Sequence, residues 1–139
     1  MEWKSLEWKN LCSESIEDLP DKPGAYAIRI VMNGKAKKIP RVFDEDTSGI
    51  LCFGMTQKLG LKERIKRFYK AAHGESFQHA EGNRYNELGY DNARFSLRKL
   101  EFGSKVCEDE KLAKEIELDW FGEYERIFGE LPPLNRKKG

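Results

Sequence analysis

The 139-residue length fits one domain around a single modest core and leaves no room for a second folding unit of ordinary size. With 39% hydrophobic and 35% charged residues, the composition is that of a soluble globular protein with a heavily solvated surface. No apolar run approaches the roughly 20 residues a bilayer-crossing helix needs, and MEWKSLEWKN has no signal-peptide core, so a cytoplasmic protein without a membrane partner is expected. A net charge of +1 argues against nucleic-acid binding by bulk electrostatics alone, although basic residues concentrate in KLGLKERIKRFYK and NRKKG and acidic ones in EDEKLAKEIELD.

In chain order, EWKSL and EWKNL set Trp3 and Trp8 five residues apart, too close for a solenoid repeat; they are chance or two anchors of a docked arm. LPDKPG is turn chemistry and introduces the β-prone run AYAIRIVM, after which NGKAKK supplies another turn. KIPRVFDEDTSG reads as irregular, with a short strand at most. GILCFGM is the second strand, expected to pair antiparallel with the first. From Leu61 the period changes: Leu61, Ile65, Phe68 and Ala72 form one helical stripe that turns Lys62, Arg64, Lys66 and Arg67 aside, with an end near His73-Gly74.

GESFQHAEGNRYNELGYDN is polar and offers a short helix at best. ARFSLRKLEF, with Phe95, Leu97 and Leu100 apolar, is the third strand. A last helix from about Glu108 to Phe128 buries Leu112, Ala113, Ile116, Trp120, Tyr124 and Ile127, and Gly129 caps it. The expected fold is a small α+β domain with a mostly antiparallel three-stranded sheet flanked by helices. Cys12, Cys52 and Cys107 are odd in number and contain no CxxC pair, so free thiols are expected.

Several residues stand out chemically. Glu117 lies on the helical rows of Ala113, Trp120 and Tyr124, so it borders the apolar face and needs a partner, unless it turns outward as most helix glutamates do. Arg64 and Arg67 fit either a charged helix face or a phosphate site. Tyr26 fits a strand core equally well as a catalytic role. His79 and Arg84 are expected on a polar loop without a packing reason, which makes them candidate phosphate or base contacts. Asn135 beside PPL is able to cap a turn.

Five segments in fixed order, PGAYAI, ILCFG, LKERIKRF, AKEIELDW and LPPLN, together resemble the GIY-YIG nuclease family, across residues 19 to 135. IPRVFDEDTSGILCFG, HAEGNRY and FGELPPLN are most similar to its stand-alone bacterial members. The resemblance implies a single domain over 1–139, with an N-terminal arm at 1–18, a core at 19–135 and a basic tail at 136–139. It also implies endonucleolytic hydrolysis of DNA phosphodiester bonds with one divalent ion, Mg²⁺ or Mn²⁺.

In the pattern so implied, Glu117 holds the metal, Arg64 contacts the scissile phosphate, and Tyr26 orients the attacking water. Gly54 closes the second tripeptide and Asn135 closes the domain. With Arg67, His79 and Arg84, these two complete the expected substrate-binding set. The chain departs from the family pattern where the second tripeptide's tyrosine is Cys52, and where Phe68 takes a position usually held by His or Tyr. These departures keep open a second reading, a module of the same fold that binds nucleic acid or a protein without cutting. A third reading is an interaction module using Trp3 and Trp8 as exposed anchors. With no appended binding domain, specificity would come from a homodimer, a protein partner or a structured DNA substrate.

Overall fold

The run that follows the LPDKPG turn forms β2 (Gly24–Met32), the longest strand among the described residues and the centre of the sheet. In the computed structural model, which describes residues 2–89 and 100–138, β2 is preceded by a 3₁₀ turn (Trp3–Ser5), β1 (Lys9–Asn10) and the short α1 (Ser13–Glu17). Asn33 and Gly34, both at positive φ, turn the chain into β3 (Lys35–Ala36), a two-residue hairpin loop of the kind Asn-Gly favours. A separate two-stranded ladder, β4 (Ile39–Pro40) with β5 (Glu45–Asp46), leads to β6 (Ile50–Met55). Then follow α2 (Leu61–Ala72), α3 (Ala80–Gly89), β7 (Leu100–Val106) and α4 (Glu110–Phe128).

This is a small α+β domain with an antiparallel sheet. β2 lies between β6 and β7, as the expected pairing of the first two apolar runs requires, with Tyr26 opposite Gly54 and Ile28 opposite Cys52. Among the described residues the sheet has five strands, not three: β1 extends it beyond β7, and β3 pairs the far end of β2. Two-residue strands leave no hydrophobic period to read, and their pairing is decided by neighbours already in place. Of the third strand expected at 93–102, Phe95 and Leu97 lie outside the described residues, while Leu100 opens β7.

Alternation along the central strands sorts the core into two layers. Tyr26, Ile28, Ile30, Cys52 and Phe102 face the layer completed by Leu61, Ile65, Phe68 and Ala72 of α2 and Tyr85 of α3. Ala25, Ala27, Ile50 and Phe53 face the other, where α4 contributes Trp120, Phe121, Tyr124 and Phe128. The pairing slips after Ile28 so that Leu51 is skipped, which puts Leu51 and Cys52 on the same layer.

The α4 stripe runs through Ala113, Glu117, Trp120, Phe121, Tyr124 and Phe128. Leu112, expected to be buried, is 38% exposed because it flanks that row near the helix start. Asp109 caps α4 by accepting from Leu112 N at 2.8 Å, and Gly129 ends it in a left-handed conformation.

The N-terminal arm is docked, and the exposed-anchor expectation for its tryptophans is corrected. Trp3 is buried against Phe53 and Tyr124, and its Nε1 donates to Ser48 Oγ at 3.2 Å. Trp8 is half-buried beneath the Arg29 guanidinium, 4.4 Å from its ring centre. Asp46 is fully buried, accepting from Ser48 N, Ile50 N and Tyr124 Oη, and so joins the β4–β5 ladder to α4. No described helix is long and apolar enough to cross a membrane.

Candidate active site

Among the described residues β6 pairs with β2 along one edge, and its other edge is where the site forms. Past Gly129 the LPPLN segment lies along that edge: Leu134 N donates to Leu51 O at 2.9 Å, and the Asn135 amide accepts from Phe53 N at 2.9 Å and donates to Phe53 O at 3.1 Å. Asn135 therefore serves the backbone groups that a neighbouring strand would otherwise satisfy. Gly54 and Met55 continue beyond this strap. Around them α2 and α3 from one face of the sheet, and α4 from the other, enclose a cavity of about 590 Å³.

The cavity is lined by Gly54, Arg64, Arg67, Arg84, Glu117 and Asn135, six positions singled out in the sequence. Arg64 and Arg67 stand one turn apart on α2. The Arg64 guanidinium makes no hydrogen bond or ion pair with another described residue. Arg67 faces Glu63 at 3.9 Å, and its Nε has no hydrogen-bond partner among the described residues. Arg84 is engaged instead: its Nε donates to Leu134 O at 2.5 Å and an Nη bonds Glu81 Oε2 at 3.0 Å, so it ties α3 to the strap.

Glu117 is only 4% exposed, which resolves its sequence ambiguity in favour of the inward orientation. Lys114 Nζ approaches its Oε1 at 3.4 Å. Burial raises the carboxyl's pKa, Lys114 opposes the rise, the Glu81 carboxylate adds to it, and Arg64 offsets part. Glu81 was missed in the sequence, yet it lines the same cavity, and burial raises its pKa while Arg84 and Arg64 hold it down. Its cue was the i, i+3 pairing with Arg84, visible only once HAEGNRY is read as a helix. The sequence allows this segment a short helix at best, with His79 and Arg84 expected on a loop; α3 instead carries Arg84, and its buried contribution is little more than Tyr85 and a Gly82 backbone set against Phe68 and Ala71. Lys114, Arg136, Lys137 and Gln57 complete the polar lining.

Two expected site residues lie outside the cavity lining. Tyr26 is fully buried beneath Gly54, where any Cβ would be driven into the phenol's Cζ and Oη; the tyrosine is the reason residue 54 is glycine. Burial pushes its pKa upward, partly countered by Arg64. His79, expected on an open polar stretch, is 1% exposed and packs edge-on against Phe68. Its polar atoms are satisfied internally: Gly82 N–H donates to Nδ1 at 3.2 Å, which leaves Nε2–H to donate to Tyr26 Oη at 2.6 Å. Tyr26 and His79 are thus a buried pair supporting the floor of the site. Cys52 and Phe68 are also fully buried, and burial raises the Cys52 thiol well above its ordinary range.

Comparison with protein-family models, with curated proteins and with solved structures finds no match. What the cavity can do is therefore read from its own chemistry. Six cationic side chains face two carboxylates in it, in a chain whose net charge is only +1, so the excess positive charge is gathered at one place. Such a lining suits an anion bearing several oxygens.

No cluster of three or more His, Cys, Asp or Glu able to hold a metal occurs among the described residues. The Glu117 carboxylate, buried and forced toward its protonated form, nonetheless fits a hard divalent cation, which accepts one or two carboxylates and keeps water for its remaining positions.

Proposed function

We propose that this chain is a metal-dependent endonuclease of the GIY-YIG type, hydrolysing DNA phosphodiester bonds in the cavity at the edge of β6. The observation that carries the reading is the convergence of Arg64 and Glu117, 53 positions apart in the sequence, with Gly54 and Asn135 in one cavity that has an excess of cations. A bound Mg²⁺ or Mn²⁺ would supply Lewis-acid polarisation of the phosphate and neutralise charge on the leaving oxygen. Glu117, assisted by Glu81, would hold it.

Arg64 has its guanidinium free to grip the non-bridging phosphate oxygens and offset the charge that develops on them. Arg67 stands one turn further along α2 for the neighbouring phosphate. The two carboxylates are the acceptors available to the attacking water. Tyr26 acts as a positioning residue: its ring, hydrogen-bonded to His79, fills the space a side chain at residue 54 would need and so fixes the floor of the site. Arg84 and Asn135 keep the strap and α3 in place around the phosphate.

A second reading has its own observation: Cys52 and Phe68, at positions where the family places acid–base groups, are wholly inside the core. A domain that holds DNA without cutting it would have the same cations. The two separate on incubating supercoiled, branched and single-stranded DNA with wild type and Glu117→Ala, in Mg²⁺, in Mn²⁺ and in chelator. Cutting that needs metal and is lost in the variant is expected. Retained binding with no cutting of any substrate would transfer the proposal to the binding module.

A further inference from the structure

The C-terminal residues that follow the strap have no role in the nuclease scheme above, yet they reach the same cavity. The backbone leading to them is fixed: Leu134 is buried and paired to Leu51, Asn135 is clamped to both backbone groups of Phe53, and Arg84 holds the Leu134 carbonyl. On the far side, Lys138 Nζ is bonded to Glu125 at 2.7 Å. Arg136 and Lys137 directly follow the anchored Asn135 and line the cavity together with Gly54. Both are exposed, and neither makes an ion pair or hydrogen bond with any described residue.

Unpaired cations are common on this surface, so what distinguishes Arg136 and Lys137 is their place: they line the cavity directly after the strap, whereas the neighbouring Lys138 is turned to Glu125. Two adjacent unpaired cations on an anchored strap, within a lining already rich in arginine, are arranged for an extended polyanion. The cavity's volume of about 590 Å³ also exceeds what one phosphate group needs and falls in the range of whole organic ligands.

We propose that Arg136 and Lys137 form a second phosphate subsite, gripping the DNA strand at phosphates next to the one held by Arg64. This rests on the nuclease reading for the identity of the strand. Contacts of this kind set position and affinity and carry no base preference, so the subsite fixes how the strand enters without selecting its sequence.

The test uses the full chain. Affinity for a fluorescein-labelled single-stranded oligonucleotide is measured by anisotropy across a salt series for wild type, R136A/K137A and K138A, all in chelator so that no cutting intervenes. Loss of two phosphate contacts lowers the slope of log K against log salt by about 1.4 on a single strand, and by about 1.8 on duplex. Between 50 and 200 mM salt, wild type is then about 7-fold more salt-sensitive than the double variant on single-stranded DNA. K138A, whose lysine is tied to Glu125, is expected to keep the wild-type slope.

An unchanged slope in R136A/K137A overturns the subsite, as does an equal drop in K138A, which would reduce the effect to general tail charge. The nuclease reading is scored separately by metal-dependent cleavage in wild type. Cutting with an unchanged slope leaves the nuclease and removes the subsite, and a lowered slope without cutting does the reverse. Absence of any DNA binding overturns both.

Discussion

Replacing His79 by glutamine isolates the acid sensitivity built into the floor of the site. Burial, with Arg64 and Arg84 nearby, lowers the His79 pKa to about 3 from the ordinary 6.5. The hydrogen bonding agrees, because a second ring proton would face the Gly82 N–H that donates to Nδ1. In the unfolded chain the imidazole titrates near its ordinary value. Below pH 6.5 the unfolded state therefore binds a proton that the native state refuses until about pH 3, so this contribution to stability is complete above 6.5 and is lost as pH falls toward 3.

At about 1.4 kcal/mol per unit, moving from pH 7 to pH 5 removes about 2 kcal/mol. Glu81 and Glu117 act in the opposite sense: burial raises their carboxyl pKa, so the native state takes up these protons before the unfolded one and acidification favours folding through them. Both carboxyls are common to wild type and H79Q, and glutamine keeps a neutral N–H donor for Tyr26. The difference between the two pH responses is thus the histidine's own. Urea unfolding followed by tryptophan fluorescence at pH 7 and pH 5 is expected to show the wild-type midpoint dropping relative to H79Q by about 1 M, for a slope near 2 kcal/mol per M. Equal responses of the two proteins to pH would refute a neutral, buried imidazole.

Asp46→Ala leaves Tyr124 Oη, Ile50 N and Ser48 N without their shared acceptor in a fully buried site, and is expected to cost about 3 to 5 kcal/mol, read as a lowered thermal midpoint. Asn135→Ala frees both backbone groups of Phe53 and should cost about 1 to 3 kcal/mol in denaturant unfolding; lost DNA affinity with full stability would instead make the amide a ligand contact. Cys52→Val should leave cleavage unchanged and stability within about 1.5 kcal/mol, since the thiol is a small core group that burial keeps protonated; a large drop in cleavage rate with normal folding would show that the sulfur takes part.

The parts of the fold legible in the sequence are those where one face is apolar over several periods. The Leu61, Ile65, Phe68, Ala72 row is fully on the inner side of α2, and the two apolar runs pair as β2 and β6. Within α4 the expected stripe includes Leu112, which is exposed, and omits Phe121, through which the buried row passes. Strands β1, β3, β4 and β5 have two residues each and no period at all. They exist because neighbouring backbone groups need partners, which is a property of the assembled sheet and not of the local sequence.

At the site, spacing was a better guide than polarity. Gly54, Arg64, Glu117 and Asn135 come from separate segments and meet at one end of β6, because the strand order and the opposite placement of α2 and α4 leave that edge open to both helices. Polarity misled for His79, while Tyr26 took the strand-core place its β-prone run allowed; the two satisfy each other inside the core and present nothing to solvent. It misled in reverse for Glu81, where a polar stretch concealed a helix that delivers a carboxylate. Cys52 and Phe68 face inward, so the acid–base capacity absent from those two positions can come only from groups that reach the cavity. Of these, Glu81 and Glu117 are the carboxyls that burial moves toward neutral pH, which makes that pair, beside the unpaired Arg64, the centre on which cleavage would depend.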